Sequence, residues 1–199
     1  MQKQEAIDIL ARHRGQAISV ATMQAAAPWH AAGQGKAFHV DASACMGSAS
    51  SLGLGLAMGC PTRQVIVLDG DGSLLMQLGS LVTIAAQAPA NLFHFVFSNG
   101  LYESSGNQPL PGQGKFSFIE LARAAGYPHT LRFTEAAEFD AALPGLLGLK
   151  GPVLIDLVIA RDDAPPRWPG VPMALMVDRL KGELAPSANL TLANSPSAH

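Results

Sequence analysis

Apolar and polar positions recur along the chain with two periods, one typical of strands and one typical of helices. Predominantly apolar runs predict strands at residues 17–22, 36–40, 63–69, 91–98 and 152–160. The continuous apolar run within 63–69 is typical of a strand that is covered on both faces of a parallel sheet. Apolar positions at helical spacing predict helices at residues 5–13, 48–59, 74–88, 117–126, 134–149 and 174–184, with a loop or short helix at 23–33. This alternation predicts an α/β fold with an open, doubly wound, mostly parallel sheet and helices on both faces.

The length of the chain and its proline distribution predict one domain with a C-terminal extension. The 199 residues are enough for one complete hydrophobic core, which we expect to lie within residues 1–163. Residues 164–199 begin with a proline-rich stretch, and we expect them to contain one helix and a disordered tail. Because 48% of the residues are hydrophobic and only 14% are charged, we also expect a large buried interface with another chain, in a homo- or hetero-oligomer.

Charge and cysteine content argue against several classes of protein. The net charge is −2 and no basic stripe is present, which argues against a nucleic-acid partner. No apolar run reaches the roughly 18–20 residues that a membrane span requires. The amphipathic N-terminal segment lacks the apolar core of a signal peptide, and Cys45 and Cys60 are too few for a disulfide framework. These features predict a cytoplasmic protein without a membrane partner.

Acidic and amide side chains, together with glycines, follow two of the predicted strands. The segment "DGDGS" occupies residues 69–73, and "SNGL" occupies residues 98–101. In a doubly wound sheet, ligands bind beyond the carboxyl ends of the strands, where both segments must lie. Carboxylate, amide and carbonyl oxygens suit Mg²⁺, while glycines allow close backbone approach and a following helix offers free N–H groups to an anion. The residues alone therefore predict Mg²⁺ and a phosphate ester at this edge.

Three sequence blocks resemble one family of cofactor-dependent enzymes. They are "CMGSASSLGLGLA" at 45–57, "GDG" at 70–72 and "NGLYESSGNQP" at 99–109. Asp71 and Asn99 are 28 positions apart (99 − 71), which fits the cofactor motif of thiamine-diphosphate enzymes. The blocks resemble the C-terminal, diphosphate-binding half of these enzymes, especially the β subunit of sulfopyruvate and phosphonopyruvate decarboxylases. The resemblance covers roughly residues 1–160 and implies the thiamine-diphosphate-binding fold.

The resemblance implies a role for individual residues around thiamine diphosphate and Mg²⁺. The implied metal ligands are the side chains of Asp71 and Asn99 and the carbonyl of Leu101. The implied cofactor-binding residues are Ala44, Met46, Gly70, Gly72, Ser73 and Leu101. Met46 would lie under the cofactor and hold it in the bent shape that catalysis needs, and the Ala44 carbonyl would accept a hydrogen bond from the aminopyrimidine.

The segment after the second strand tip supplies the remaining candidate residues. We expect Glu103 to be catalytic, with Ser104, Asn107 and Gln108 as further residues that could contact substrate or relay protons. The implied reaction is the non-oxidative decarboxylation of a short 2-oxo acid to an aldehyde, with the cofactor as electron sink. The catalytic glutamate of such enzymes belongs to a separate pyrimidine-binding domain. A chain of this length has room for one such domain, so we expect a partner α subunit to supply it.

Some positions depart from the family pattern, and others are expected to be structural. Ser98 stands where the family has Asn or Asp, and "TMQAAAP" replaces the usual glycine and hydroxyl residue after the first strand, so that Thr22 could serve as a partial substitute. We expect Asp69 to cap or hydrogen-bond its loop, and His30 and His39 to be structural.

Other functions remain open at this point. A carboligase or lyase subunit could use the same cofactor, and a non-catalytic cofactor-binding or regulatory partner would fit the altered "TMQAAAP" loop. An oxidoreductase subunit that carries iron–sulfur clusters is disfavoured, because two isolated cysteines cannot form a four-cysteine site. A plain dinucleotide-binding domain is weakest, since no GxGxxG follows the first strand.

Overall fold

Six parallel strands form the central sheet in the order β2-β1-β3-β4-β8-β7. The computed structural model describes residues 1–43, 45–161 and 170–185. The strands of this sheet are β1 (Ile18–Ala21), β2 (His39–Asp41), β3 (Val65–Gly70), β4 (Leu92–Ser98), β7 (His129–Phe133) and β8 (Val153–Val158). A separate antiparallel ribbon consists of β5 (Leu101–Tyr102) and β6 (Gln108–Pro109).

Helices cover the sheet on both faces. They are α1 (Lys3–His13), α2 (Met23–Ala31), α3 (Ala49–Gly59), α4 (Asp71–Met76), α5 (Ser80–Gln87), α6 (Phe118–Ala125), α7 (Ala136–Leu146) and α8 (Met173–Leu184), with a 3₁₀ helix at Glu103–Ser105. Alternate residues of each central strand point to opposite faces. Ile66 and Phe93 pack with α1, α2 and α7, whereas Val67 and Leu92 pack with α3, α5, α6 and α8. The predicted doubly wound α/β fold is confirmed.

The strand order creates a switch point beside β1. The chain passes from β1 to β2 on one side, and α3 then leads it to β3 on the other side of β1. Such switch points open a crevice at the carboxyl ends of the strands. The first turns of α2 and α4 and the ends of β3 and β4 border this crevice.

The structure corrects the bounds of two predicted elements. The predicted helix at 74–88 is two helices, since Gln77 leaves helical geometry (φ −132°, ψ 44°) and the chain turns before Ser80. The predicted strand at 36–40 begins only at His39, because Phe38 has a positive φ of 44° and its carbonyl is held by the guanidinium of Arg14.

Strand β7 and the β5–β6 ribbon were not predicted from the sequence pattern. Strand β7 is at the edge of the sheet and its residues are half-buried or exposed, so it has no continuous apolar run. Each ribbon strand has only two residues, too few for a periodic pattern. For residues 23–33 the sequence predicts a loop or a short helix, and in the structure Met23–Ala31 form α2.

The C-terminal helix packs on the same core as the sheet. Met176 and Leu180 of α8 are buried, and α8 contacts β2. The domain boundary predicted at residues 163–164 and the tail beyond residue 185 lie outside the described residues. Within the described ranges, no helix combines the length and apolar character that crossing a membrane requires.

Candidate functional site

A cleft of about 420 Å³ lies at the carboxyl ends of β3 and β4. It brings together nine of the residues that were selected from the sequence: Met46, Gly70, Asp71, Gly72, Ser73, Asn99, Leu101, Glu103 and Ser104. Lys3, Ala25, Asp69, Phe97, Tyr102 and Ile159 complete its lining. Residues from distant parts of the sequence meet here because parallel strands end at a common edge.

The Asp71 carboxylate is the most strongly constrained acid of the cleft. It is 3% exposed, and its Oδ1 accepts a hydrogen bond from the backbone N–H of Gly72 at 2.7 Å. Its Oδ2 accepts from the N–H groups of Asn99 at 2.9 Å and Gly100 at 2.6 Å. Burial raises the pKa of Asp71 to about 6, although these three hydrogen bonds act in the opposite direction. A carboxylate in this position is costly to ionise without a nearby cation.

Asn99 presents the amide oxygen that the sequence analysis selected. Its Oδ1 accepts a hydrogen bond from the N–H of Leu101 at 2.9 Å, which fixes the side chain against its own loop. The next residue, Gly100, has a positive φ of 75°, so the chain turns sharply after the strand. The hydrogen bond from Asn99 N to Asp71 Oδ2 connects the tips of β3 and β4 directly. An oxygen-rich donor set of this kind suits Mg²⁺.

Ser73 connects the start of α4 to the loop that carries Met46. The Ser73 hydroxyl is buried and accepts a hydrogen bond from the N–H of Gly47 at 3.0 Å. The hydroxyl hydrogen of Ser73 therefore stays available to an anion. Met46, adjacent to Gly47, lines the same cleft.

Gly72 is required by close packing against Tyr102. A Cβ at this position would lie 2.6 Å from the Tyr102 ring and 3.2 Å from the Leu110 side chain. Only glycine fits without displacing the ring. Tyr102 was missed in the sequence analysis, although it directly precedes Glu103 in the block that was selected.

A buried ion pair lies at one side of the cleft. Lys3 Nζ of α1 is 3.0 Å from Glu103 Oε2, and the side chains are 3% and 4% exposed. Lys3 is the one Lys or Arg among the residues that line this cleft within the described chain. Sequence patterns did not select it, because the partners are 100 positions apart.

Asp156 of β8 lies beside the tip of β4, next to the residues that line the cleft. Its Oδ1 accepts a hydrogen bond from the Ser98 hydroxyl, and Arg132 lies 3.5 Å from its Oδ2. Burial raises the pKa of Asp156, and its charge contributes to the raised pKa of Asp71. An acid inside the apolar run "VLIDLV" was the available signal for this residue.

Comparisons with known proteins identify the family. Residues 17–157 match the family described as "Thiamine pyrophosphate enzyme, C-terminal TPP binding domain". The chain belongs to this family. The resemblance seen in the sequence is thus confirmed, and with it the expectation of a thiamine-diphosphate-binding domain.

Relatives of this thiamine pyrophosphate-binding domain carry related names. The chain is 44% identical over 114 residues to "Phosphonopyruvate decarboxylase" of Streptomyces hygroscopicus, covering 57% of this chain and 28% of the relative. It is 40% identical over 119 residues to "Sulfopyruvate decarboxylase subunit beta" of Methanothermobacter thermautotrophicus, covering 60% of each. The chain thus spans between about a quarter and three fifths of the length of these relatives.

A solved structure shares the fold. The thiamine diphosphate-dependent 4-hydroxybenzoylformate decarboxylase of Rhodococcus jostii RHA1 superposes with a TM-score of 0.67 at 21% identity, covering 82% of this chain and 33% of that one. At this level of identity the match supports the fold assignment.

Several residues selected from the sequence do not contribute to the cleft of this domain. Asn107 and Gln108 are exposed and do not line it, because the β5–β6 ribbon carries them away from the strand tips. Thr22 is fully buried, and its hydroxyl donates to the carbonyl of Ala42 at 3.1 Å. It therefore does not take over the role of the missing hydroxyl residue. Ala44 lies outside the described residues.

Asp69 has the structural contacts that were expected. It is fully buried, its Oδ1 accepts a hydrogen bond from the N–H of Gly70 at 3.0 Å, and its Oδ2 lies 3.2 Å from His94 Nε2. The prediction that it hydrogen-bonds its loop is confirmed.

Proposed function

We propose that this chain is the diphosphate-binding β subunit of a thiamine-diphosphate- and Mg²⁺-dependent decarboxylase. Its substrate would be a short 2-oxo acid with a sulfonate or phosphonate group, because relatives at 40% and 44% identity are named sulfopyruvate and phosphonopyruvate decarboxylases. The observation that carries the proposal is the convergence of the Asp71 and Asn99 side-chain oxygens in one cleft with Met46 and Ser73.

Asp71, Asn99 and the carbonyl of Leu101 would hold Mg²⁺. The buried Asp71 carboxylate fits this role, since a cation would stabilise the ionised form that burial alone disfavours. The Asn99 amide oxygen accepts one described hydrogen bond and has a second lone pair. The Leu101 carbonyl belongs to the segment that this hydrogen bond fixes.

Gly70, Gly72 and Ser73 would bind the diphosphate, and Met46 and the Ala44 carbonyl would contact the rings of the cofactor. Ser73 can donate its hydroxyl hydrogen to a phosphate oxygen while it accepts from Gly47 N. The absence of a side chain at Gly72 allows close backbone approach. When bound, thiamine diphosphate supplies the electron sink for decarboxylation.

Glu103 would contact the substrate or transfer a proton, and Ser104 lies beside it in the cleft lining. Lys3 holds the Glu103 carboxylate in position and balances its charge, since both side chains are almost fully buried. Because Lys3 belongs to α1, the first helix contributes to this geometry.

A partner α subunit would complete the site with a pyrimidine-binding domain and the catalytic glutamate. Support comes from the name "subunit beta" of relatives that are themselves matched over 50% and 60% of their length. The low charged fraction of the chain, 14%, also suits a buried interface.

The first experiment is calorimetric titration of thiamine diphosphate with Mg²⁺ into the chain, alone and with a pyrimidine-domain partner, followed by assays for CO₂ release from 2-oxo acids. We expect binding to require the metal and to be lost in Asp71→Ala, which removes a ligand. Asp8→Ala is the matched control, because Asp8 is an exposed acid on α1.

The outcomes separate the alternatives. No binding in the presence of a suitable partner would refute the assignment as an enzyme subunit. Metal-dependent binding without CO₂ release would favour a regulatory role. Formation of a carbon–carbon bond to an added aldehyde, in place of aldehyde release, would favour a carboligase.

A further inference from the structure

A second group of ligand-type side chains lies outside the cofactor cleft. His39 and Asp41 belong to the edge strand β2, and His30 belongs to α2. His30 Nε2 is 2.6 Å from Asp41 Oδ2, and His39 Nε2 is 3.0 Å from Asp41 Oδ1. The potential ligand atoms of the three residues all lie within 4.8 Å of one another. None of the three lines the cleft that holds Asp71 and Asn99.

The His39 ring is held in a fixed orientation by a buried contact on its other nitrogen. His39 Nδ1 is 2.8 Å from Ser19 Oγ, and the indole N–H of Trp29 donates to the same hydroxyl at 3.1 Å. His39, Ser19 and Trp29 are all fully buried. This arrangement directs Nε2 at Asp41, and a hydrogen-bond partner on the second nitrogen is the usual support of a metal-binding histidine.

The His30 ring packs directly against the backbone at Gly35. A Cβ at position 35 would lie 2.0 Å from His30 Nδ1. The absence of a side chain at Gly35 is therefore what allows the ring to reach Asp41. From the sequence, His30 and His39 were expected to be structural, and their spacing to Asp41 matches no known metal-binding motif.

Asp41 also borders a surface cavity that gives access from solvent. Ser43, Val171, Met173 and other residues near the start of α8 line this cavity. Ser43 Oγ is buried and has no hydrogen-bond partner in the described part of the chain. The cavity thus places the Ser43 hydroxyl, an additional oxygen donor, beside Asp41.

We propose that His30, His39 and Asp41 bind a divalent transition-metal ion of the Zn²⁺ type. Two imidazole nitrogens and one carboxylate are a donor set that Zn²⁺ accepts, with one position left for water. Mg²⁺ prefers oxygen ligands, so this site and the Asp71 site differ in the ion that they select. The proposal is independent of the proposed decarboxylase function. At 2.6 and 3.0 Å both imidazoles are within hydrogen-bonding distance of the carboxylate, so a bound ion must replace these hydrogen bonds, and the experiment separates the two arrangements.

The test is calorimetric titration of Zn²⁺ into chelator-treated, dialysed chain, repeated with Co²⁺ while visible absorption is recorded. We expect one ion per chain and a Co²⁺ spectrum typical of nitrogen and oxygen ligands. His30→Gln, which changes a partly exposed side chain, should weaken binding about tenfold or more. His13→Gln is the matched control, because His13 Nε2 lies 3.5 Å from Asp140 Oδ1 in a surface pair outside the proposed site. We expect this control to bind like the wild type.

Gly35→Ala provides a test that keeps all three ligands. The added methyl group must displace the His30 ring, so we expect weaker Zn²⁺ binding with an unchanged circular dichroism spectrum. Absence of Zn²⁺ binding to the wild type would overturn the proposal and leave a hydrogen-bonded network. Equal affinity in the wild type, His30→Gln and Gly35→Ala would overturn it as well, because the ion would then bind elsewhere.

Discussion

The Asp71 carboxyl group should make the stability of the metal-free chain fall as the pH rises. Burial raises its pKa from 3.8 to about 6, so the folded chain binds this proton more tightly than the unfolded chain does. At about 1.4 kcal/mol for each tenfold change in proton affinity, this difference corresponds to about 3 kcal/mol. The stabilisation is complete below the unfolded pKa and is lost as the pH rises through the folded pKa.

Chemical denaturation of the wild type and Asp71→Asn, both in chelator, measures this contribution. The substitution also removes hydrogen-bond acceptors, but that cost does not depend on pH. It shifts the difference between the two curves by a constant and leaves the pH dependence of that difference unchanged. We expect the free energy of unfolding of Asp71→Asn, relative to the wild type, to increase by about 3 kcal/mol between about pH 3 and pH 7. Glu138→Gln removes an exposed acid and should follow the wild-type curve. Parallel curves for the wild type and Asp71→Asn would refute the reasoning.

Two further substitutions test the packing and the charges of the cleft. Gly72→Ala places a methyl group 2.6 Å from the Tyr102 ring, so we expect the free energy of unfolding to fall by about 1–3 kcal/mol and thiamine diphosphate to bind more weakly. Gly79→Ala is the control, because a methyl group there meets no atom within 4 Å. Equal stability of the two variants would contradict the packing argument. Lys3→Met removes the ion pair that Lys3 forms with the buried Glu103 carboxylate, and we expect the free energy of unfolding, measured by chemical denaturation, to fall by about 3–5 kcal/mol. Adding Glu103→Gln should restore most of this stability, and a double variant as unstable as Lys3→Met would show that the lost packing of the lysine side chain is responsible.

The central strands and the polar tips were predictable because each has a local signal. Residues 65–68 and 92–97 are buried on both faces of the sheet, and this burial favours a nearly continuous apolar run, which His94 alone interrupts. The tips stand out because Asp71 and Asn99 follow such runs directly beside glycines. The break between α4 and α5 has no comparable signal, because residues 74–88 keep a helical apolar pattern across it. There the direction of the chain is set by packing, for example by the hydrogen bond from Ser50 to Ser80.

Lys3 was not selected from the sequence because its contact with Glu103 joins distant segments of the chain. The topology of the fold nevertheless indicates that Lys3 lies near the site. Helix α1 begins with Lys3 at the cleft and ends with His13 beside Arg63, at the amino ends of β1 and β3. It therefore runs opposite to the strands, as a helix packed on the sheet does when it leads directly into one of the parallel strands. The first turn of such a helix lies at the edge where ligands bind. A charged residue in that turn is thus a candidate for the site even without a motif, and the burial of Lys3 against Glu103 follows from this placement.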